Sequence, residues 1–222
     1  MSVKLLHISA GIASIAKLPG SNEGSYGGSI YNEGQIIVFN STLAYNMAIG
    51  SSSYGGGIYS SVSGASSSTT VNFCTIYGNS SYVGGGVWLG PGSHLLLSSS
   101  IVANKSSAGF PDIFLENAGV LTSGGYNLIQ NTAGVDGLDS TDQQVTLSDL
   151  KLDSTLSNHG GLTPTLALLP GSLAIDAIPA EICSSFTDIS GHAITITTDQ
   201  RGDSRPDGGE QKCDIGAYES SY

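Results

Sequence analysis

Basic residues are scarce in this chain: seven Lys and Arg stand against eighteen Asp and Glu, for a formal net charge of −11. Neutralising phosphates takes clustered Lys and Arg, so nucleic acid and anionic membrane are excluded as expected partners. Charge of either sign is sparse, at 11% of residues. That suits a compact all-β protein, whose turns use Gly and Ser and whose strands need few ions. No run of about 18 apolar residues occurs, so no membrane-spanning helix is expected. His7, His94, His159 and His192 are isolated, without ligand spacing, and no metal site or cofactor is expected from them. The first residues, Met1 to Leu6, make a poor signal peptide because the apolar stretch breaks at His7. The expectation is a mature segment or fragment of an extracellular or cell-surface protein.

Glycine, by contrast, is abundant, with 31 copies, and its placement is periodic. Gly27-Gly28-Ser29-Ile30-Tyr31 returns as Gly55-Gly56-Gly57-Ile58-Tyr59 and again as Gly84-Gly85-Gly86-Val87-Trp88. The spacing of roughly 28 or 29 residues is the signature of a repeat architecture. Each copy is followed by a short apolar run and a Ser/Thr/Cys-rich segment closing on Asn46, Asn79 or Asn104. The unit is three short strands separated by turns, which predicts an all-β, right-handed parallel β-helix. A fourth, looser coil is expected from Asp112 to Ile129, and a degenerate first one from Val3 to about Gly20. No capping helix is visible at the start, which again points to a chain beginning within a solenoid.

Side chains alternate faces along a strand. With Ile30, Ile58, Val87 and Ile113 inward, Tyr31, Tyr59, Trp88 and Phe114 form an outward column. Coils about 4.8 Å apart would make it an aromatic ladder, flanked by Tyr26, Tyr54 and Tyr82. The alternation also places Leu43, Ile76 and Ile101 in the core, with Ser41, Cys74 and Ser99. Asn46, Asn79 and Asn104 are expected to stack at a corner, their amides bonding coil to coil.

The repeat fades near Ala133, giving expected domains of 1–134 for the coils and 135–222 for an irregular C-terminal cap. The tail carries Asn158-His159-Gly160-Gly161-Leu162-Thr163-Pro164-Thr165 and Leu169-Pro170-Gly171-Ser172-Leu173-Ala174-Ile175-Asp176. Asp199-Gln200-Arg201-Gly202, Arg205-Pro206 and Cys213-Asp214-Ile215-Gly216-Ala217-Tyr218-Glu219 follow. These pieces, in this order, resemble the C-terminal region of bacterial right-handed β-helix proteins of the choice-of-anchor Q domain type. His159 is an insertion in that pattern, and Leu173 stands where Pro is common. The G-G-x-I repeats are similar to those of chlamydial polymorphic outer-membrane proteins. The resemblance implies a secreted or surface β-helix of adhesive character and no defined reaction.

The alternative is a carbohydrate-active enzyme, a polysaccharide lyase or glycoside hydrolase. Glycosidases place two carboxyl groups about 5–10 Å apart across the bond. From residue 25 to 130 the acids are Glu33, Asp112 and Glu116 and the only cation is Lys105, so the reading leans against an enzyme. Asp176, Arg201 and Asp214 are expected in an ion network of the cap, Arg201 pairing with Asp176 or Asp214. Ca²⁺ held by the tail acids is the weaker reading, since no D-x-D-x-D-G loop is present. Cys183 and Cys213 are expected to pair, stabilising a loose extracellular tail by about 3 kcal/mol. Cys74 reads as an inert core residue. The aromatic column is the candidate ligand-binding surface, for a glycan or a host or cell-surface partner.

Overall fold

The structure is a computed structural model that describes residues 26–62, 66–110, 112–209 and 211–221, together with the backbone of 6–8. The rest of the degenerate first coil expected from Val3 to Gly20 lies outside the described residues.

The chain winds into stacked coils through β1 (Leu6–Ile8), β2 (Ile30–Asn32), β3 (Gln35–Ala44), β4 (Ile58–Ser60) and β5 (Ser67–Ser81). It continues through β6 (Val87–Leu89), β7 (Ser93–Ser98), β8 (Ile101–Ser106), β9 (Ile113–Leu115), β10 (Val120–Gly125) and β11 (Leu128–Ile129). The short strands β2, β4, β6 and β9 form one four-stranded sheet. The others belong to an eight-stranded sheet that also takes in β12 (Gln143–Gln144). Every pairing within these two sheets is parallel. The expected parallel β-helix is therefore the fold, a solenoid of about four turns. Stacking continues past residue 134, because β12 lies on β11 without a glycine signature of its own.

The recurring glycines have a steric cause. Gly27, Gly55 and Gly84 take left-handed φ values of 63°, 63° and 65°. A Cβ on Gly56 would sit 2.5 Å from the Gly85 carbonyl oxygen, and one on Gly57 2.6 Å from that of Gly86. Side chains here would wedge the coils apart.

The same path bends again at Asn40, Phe73, Ser99 and Tyr126, which all have φ between 45° and 60°. Strands β3 and β5 run through this bend unbroken, and the next coil splits into β7 and β8 around Ser99. The bend corrects two inward assignments. Ser99 occupies the turn, so Ser100 takes the interior place beside Cys74, whose N–H donates to Ser100 Oγ at 3.1 Å. Leu43 and Ile76 likewise meet Val102, while Ile101 pairs with Thr75 and faces outward. A shift of one residue exchanges the faces of a strand.

Two apolar cores result. Ile36, Val38, Leu43, Ile58, Val71, Ile76, Val87, Leu97 and Val102 fill the coil interior. Ile37, Phe39, Phe73, Ile101 and Leu128 instead face the tail and pack against Leu150, Leu168, Ala174, Ile178 and Ile215. The tail itself holds α1 (Leu147–Leu150), β13 (Ile178–Pro179), α2 (Ala180–Cys183), β14 (Ser185–Thr187), β15 (Ala193–Thr195) and β16 (Lys212–Cys213). The expected Cys183–Cys213 disulfide is present, at 2.11 Å between sulfurs. Cys74 is a free thiol, fully buried, and burial pushes its pKa up to about 12.

Candidate functional site

The aromatic column is aligned as expected: Tyr31 pairs with Tyr59, Tyr59 with Trp88 and Trp88 with Phe114. Its rings do not form an open platform, however. Tyr31 and Tyr59 stack at 5.0 Å, and Tyr59 and Trp88 lie parallel at 4.5 Å. The coil repeat matches the preferred separation of stacked rings, so each ring covers its neighbour's face. A second row lies against the first, with Tyr26 edge-on to Tyr59 at 5.0 Å and Tyr54 tilted on Trp88 at 5.4 Å. Tyr59 and Trp88 are consequently only 9% and 5% exposed.

What reaches water along this edge is Tyr31, at 53% exposure, with the exposed rings of Tyr26, Tyr82 and Phe110. Phe114 is half-buried and packs on Phe110 at 4.9 Å. Tyr82 does not join the row of Tyr26 and Tyr54, because Tyr54 bridges to Val83, the residue preceding the left-handed glycine. The Tyr31 hydroxyl donates to Glu33 Oε1 at 2.9 Å, and this bond holds the proton, raising the tyrosine pKa to about 12.

The asparagine ladder forms as read. Asn46 Nδ2 donates to Asn79 Oδ1 at 2.9 Å, and Asn79 Nδ2 to Asn104 Oδ1 at 2.8 Å. Each of these carbonyl oxygens also accepts the backbone N–H of the asparagine one coil back. The column ends on Asp112, whose Oδ1 accepts from Asn104 N at 2.6 Å and whose Oδ2 accepts from Asn131 N at 2.6 Å. A carboxylate suits this end, since it accepts and needs no further partner to donate to. Burial raises the Asp112 pKa to about 7 in spite of these donors.

The cap network exists with different partners from those expected. Arg201 pairs with Asp199 at 2.8 Å and Asp203 at 2.9 Å, in place of Asp176 or Asp214. Asp214 instead accepts backbone N–H groups, from Asp176 at 2.8 Å and Ser220 at 2.6 Å. The reason is local chain direction: Asp199 lies two residues before Arg201 and also accepts its backbone N–H at 2.7 Å. The central cation is Arg205, which is buried. It pairs with Glu219 at 3.1 Å, donates to the carbonyls of Asp214 and Gly216, and lies 4.3 Å over the Phe73 ring. Burial pushes Glu219 up to about 8 and Asp214 in the same direction.

These tail motifs clamp the coils. Gly216 N donates to Ser99 O at 3.0 Å, Ala217 N to Thr75 Oγ1 at 3.1 Å, and Thr42 Oγ1 to Gln200 Oε1 at 2.6 Å. A Cβ on Gly216 would meet Thr75 Oγ1 at 2.9 Å, so the tail fits only with glycine there. Sequence reasoning missed Phe73, Arg205 and Asp112 as organising residues. The single available signal was Arg205-Pro206 in the tail motif.

Among the described residues no group of three His, Cys, Asp or Glu is placed to hold a metal ion. No helix among them is long and apolar enough to cross a membrane. The class of protein these features define is a disulfide-clamped parallel β-solenoid with an aromatic edge. Comparison with protein-family models, with curated proteins and with solved structures finds no match.

Proposed function

We propose that the chain is a non-catalytic structural and adhesive module of a bacterial surface or secreted protein, contacting glycans through its aromatic edge. The observation that carries this reading is the pair of exposed rings at Tyr26 and Tyr31, both packed on Tyr59 at the margin of the four-stranded sheet. Exposed aromatic faces bordered by hydroxyls stack on sugar rings without needing charge. The Cys183–Cys213 disulfide supports an oxidising location. The resemblance of the tail to choice-of-anchor Q proteins and of the repeats to chlamydial polymorphic outer-membrane proteins is of the same kind.

The test is a glycan array probed with the wild-type chain and with Tyr31→Ala and Tyr26→Ala. Binding by the wild type that both substitutions abolish supports the reading; binding indifferent to both overturns it. Acidic polysaccharides incubated with the chain should stay intact. Release of unsaturated or reducing ends would favour the lyase or hydrolase reading instead.

A further inference from the structure

We propose that Tyr31 is the outlet for one-electron oxidation of the stacked rings, and that the chain couples covalently there to the phenol of a second copy. The site shares the aromatic edge but does not rest on glycan binding, since no sugar takes part. Exposure does not single Tyr31 out: Tyr26, Tyr45 and Tyr82 are 45%, 42% and 43% exposed against its 53%. The partner of its hydroxyl does. Of these four, Tyr31 alone donates to a carboxylate among the described residues, Glu33 Oε1 at 2.9 Å, whereas Tyr45 donates to the Ser154 carbonyl. No cation among the described residues pairs with Glu33, so its carboxylate stays free to take a proton.

A phenol that loses an electron becomes a strong acid, so oxidation is easiest where a base already holds the hydroxyl hydrogen. At Tyr31 the electron goes to the oxidant, the O–H bond breaks and the proton passes to Glu33. A neutral phenoxyl radical remains. The rings behind it have no such acceptor: Trp88 Nε1 is buried without a partner, and the Tyr59 hydroxyl bonds to Ser61. Tyr59 touches both neighbours, Trp88 at 4.5 Å and Tyr31 at 5.0 Å. An electron lost from either inner ring is therefore replaced from Tyr31 across stacked faces. Two Tyr31 radicals, one per copy, join through the ring carbons beside their oxygens, and the hydrogen on each joined carbon moves to its phenol oxygen. Glu33 releases its proton to water, so each crosslink costs two electrons and two protons. Hydrogen peroxide acting through a haem peroxidase accepts both and leaves as two waters.

The full chain incubated with haem peroxidase and hydrogen peroxide tests this, with covalent dimer read on a reducing gel and crosslinked peptides identified by mass spectrometry. Cys74 is buried and Cys183 is bonded to Cys213, so a dimer that survives reduction is not a disulfide. The wild type should form dityrosine with Tyr31 on both sides. Tyr31→Phe keeps the ring stack and should lose most of the dimer. Oxygenated Trp88 should then rise severalfold, because the inner rings have lost their outlet. Glu33→Gln should slow dimer formation severalfold without changing the melting temperature, and Tyr45→Phe and Tyr82→Phe should leave it unchanged. The proposal is overturned when no dimer forms, or when the crosslinks spread over Tyr26, Tyr45 and Tyr82 in step with their exposure. It is equally overturned when Glu33→Gln reacts at the wild-type rate, or when oxygenated Trp88 stays at the wild-type level in Tyr31→Phe.

Discussion

In the coil interior Ile58 has Ile30 on one side and Val87 on the other, and Leu97 follows Val71 and Val38 in the same way. At the seam with the tail, Phe73 meets Arg205, and Thr75 meets Ala217, in contacts that occur once. Both regions are buried, yet the interior is redundant and the seam is not. A solenoid's stability is close to a sum of repeat and nearest-neighbour terms, so a loss inside one coil stays local. A loss at the seam releases a tail that spans several coils at once.

The largest effect should come from Arg205→Met, which leaves Glu219 buried without its cation. Breaking a buried ion pair from one side costs roughly 3–5 kcal/mol, to be read as a fall in the denaturant midpoint. Adding Glu219→Gln should recover part of it; no recovery would show that packing on Phe73, not charge, dominates. Next is Cys183→Ser with Cys213→Ser. The disulfide closes a separation of 30 residues, for which chain entropy gives about 3–4 kcal/mol. Protease sensitivity should rise in the tail and not in the coils, and equal sensitivity in both would break the contrast drawn above.

Asn79→Ala, inside the ladder, should cost about 1–3 kcal/mol by stranding the buried groups that Asn79 satisfies. Asn46→Ala, nearer the end of the column, should cost less by thermal melting. The last effect is a pH slope, modest per pH unit and cumulative across the window. Asp112 is raised in the folded chain from 3.8 to about 7, so the folded state binds the extra proton between these values. Stability from this group is therefore greatest at low pH and falls as pH rises toward 7, by at most ~1.4 kcal/mol per pH unit. Asp112→Asn, which keeps one of the two acceptor oxygens and removes the titrating proton, should flatten that part of the stability–pH curve. An unchanged curve would assign the slope to Glu219 and the seam instead.

The glycine pairs, the inward Ile/Val column and the three ladder asparagines were legible without coordinates. Each recurs once per coil because coils in register impose the same steric and hydrogen-bonding demand at every level. The bend at Asn40, Phe73, Ser99 and Tyr126 was not legible, since the shared property is a backbone angle and the four residues follow no single residue type. Missing it moved Ser99 and Ile101 to the wrong face. It also hid the seam, where Ile101 reads as an ordinary core residue and Phe73 draws no assignment.

Local periodicity alone was enough to determine that this chain stacks parallel strands and lines up rings and amides along one axis. Tertiary structure alone decided that Arg205 chooses Glu219 and lies over Phe73, and that Gly216 and Ala217 seat on Ser99 and Thr75. Repetition constrains what lies one coil away, and neither outcome is set at that distance. Each depends on side chains or a tail that reach a given coil once, from residues far along the chain.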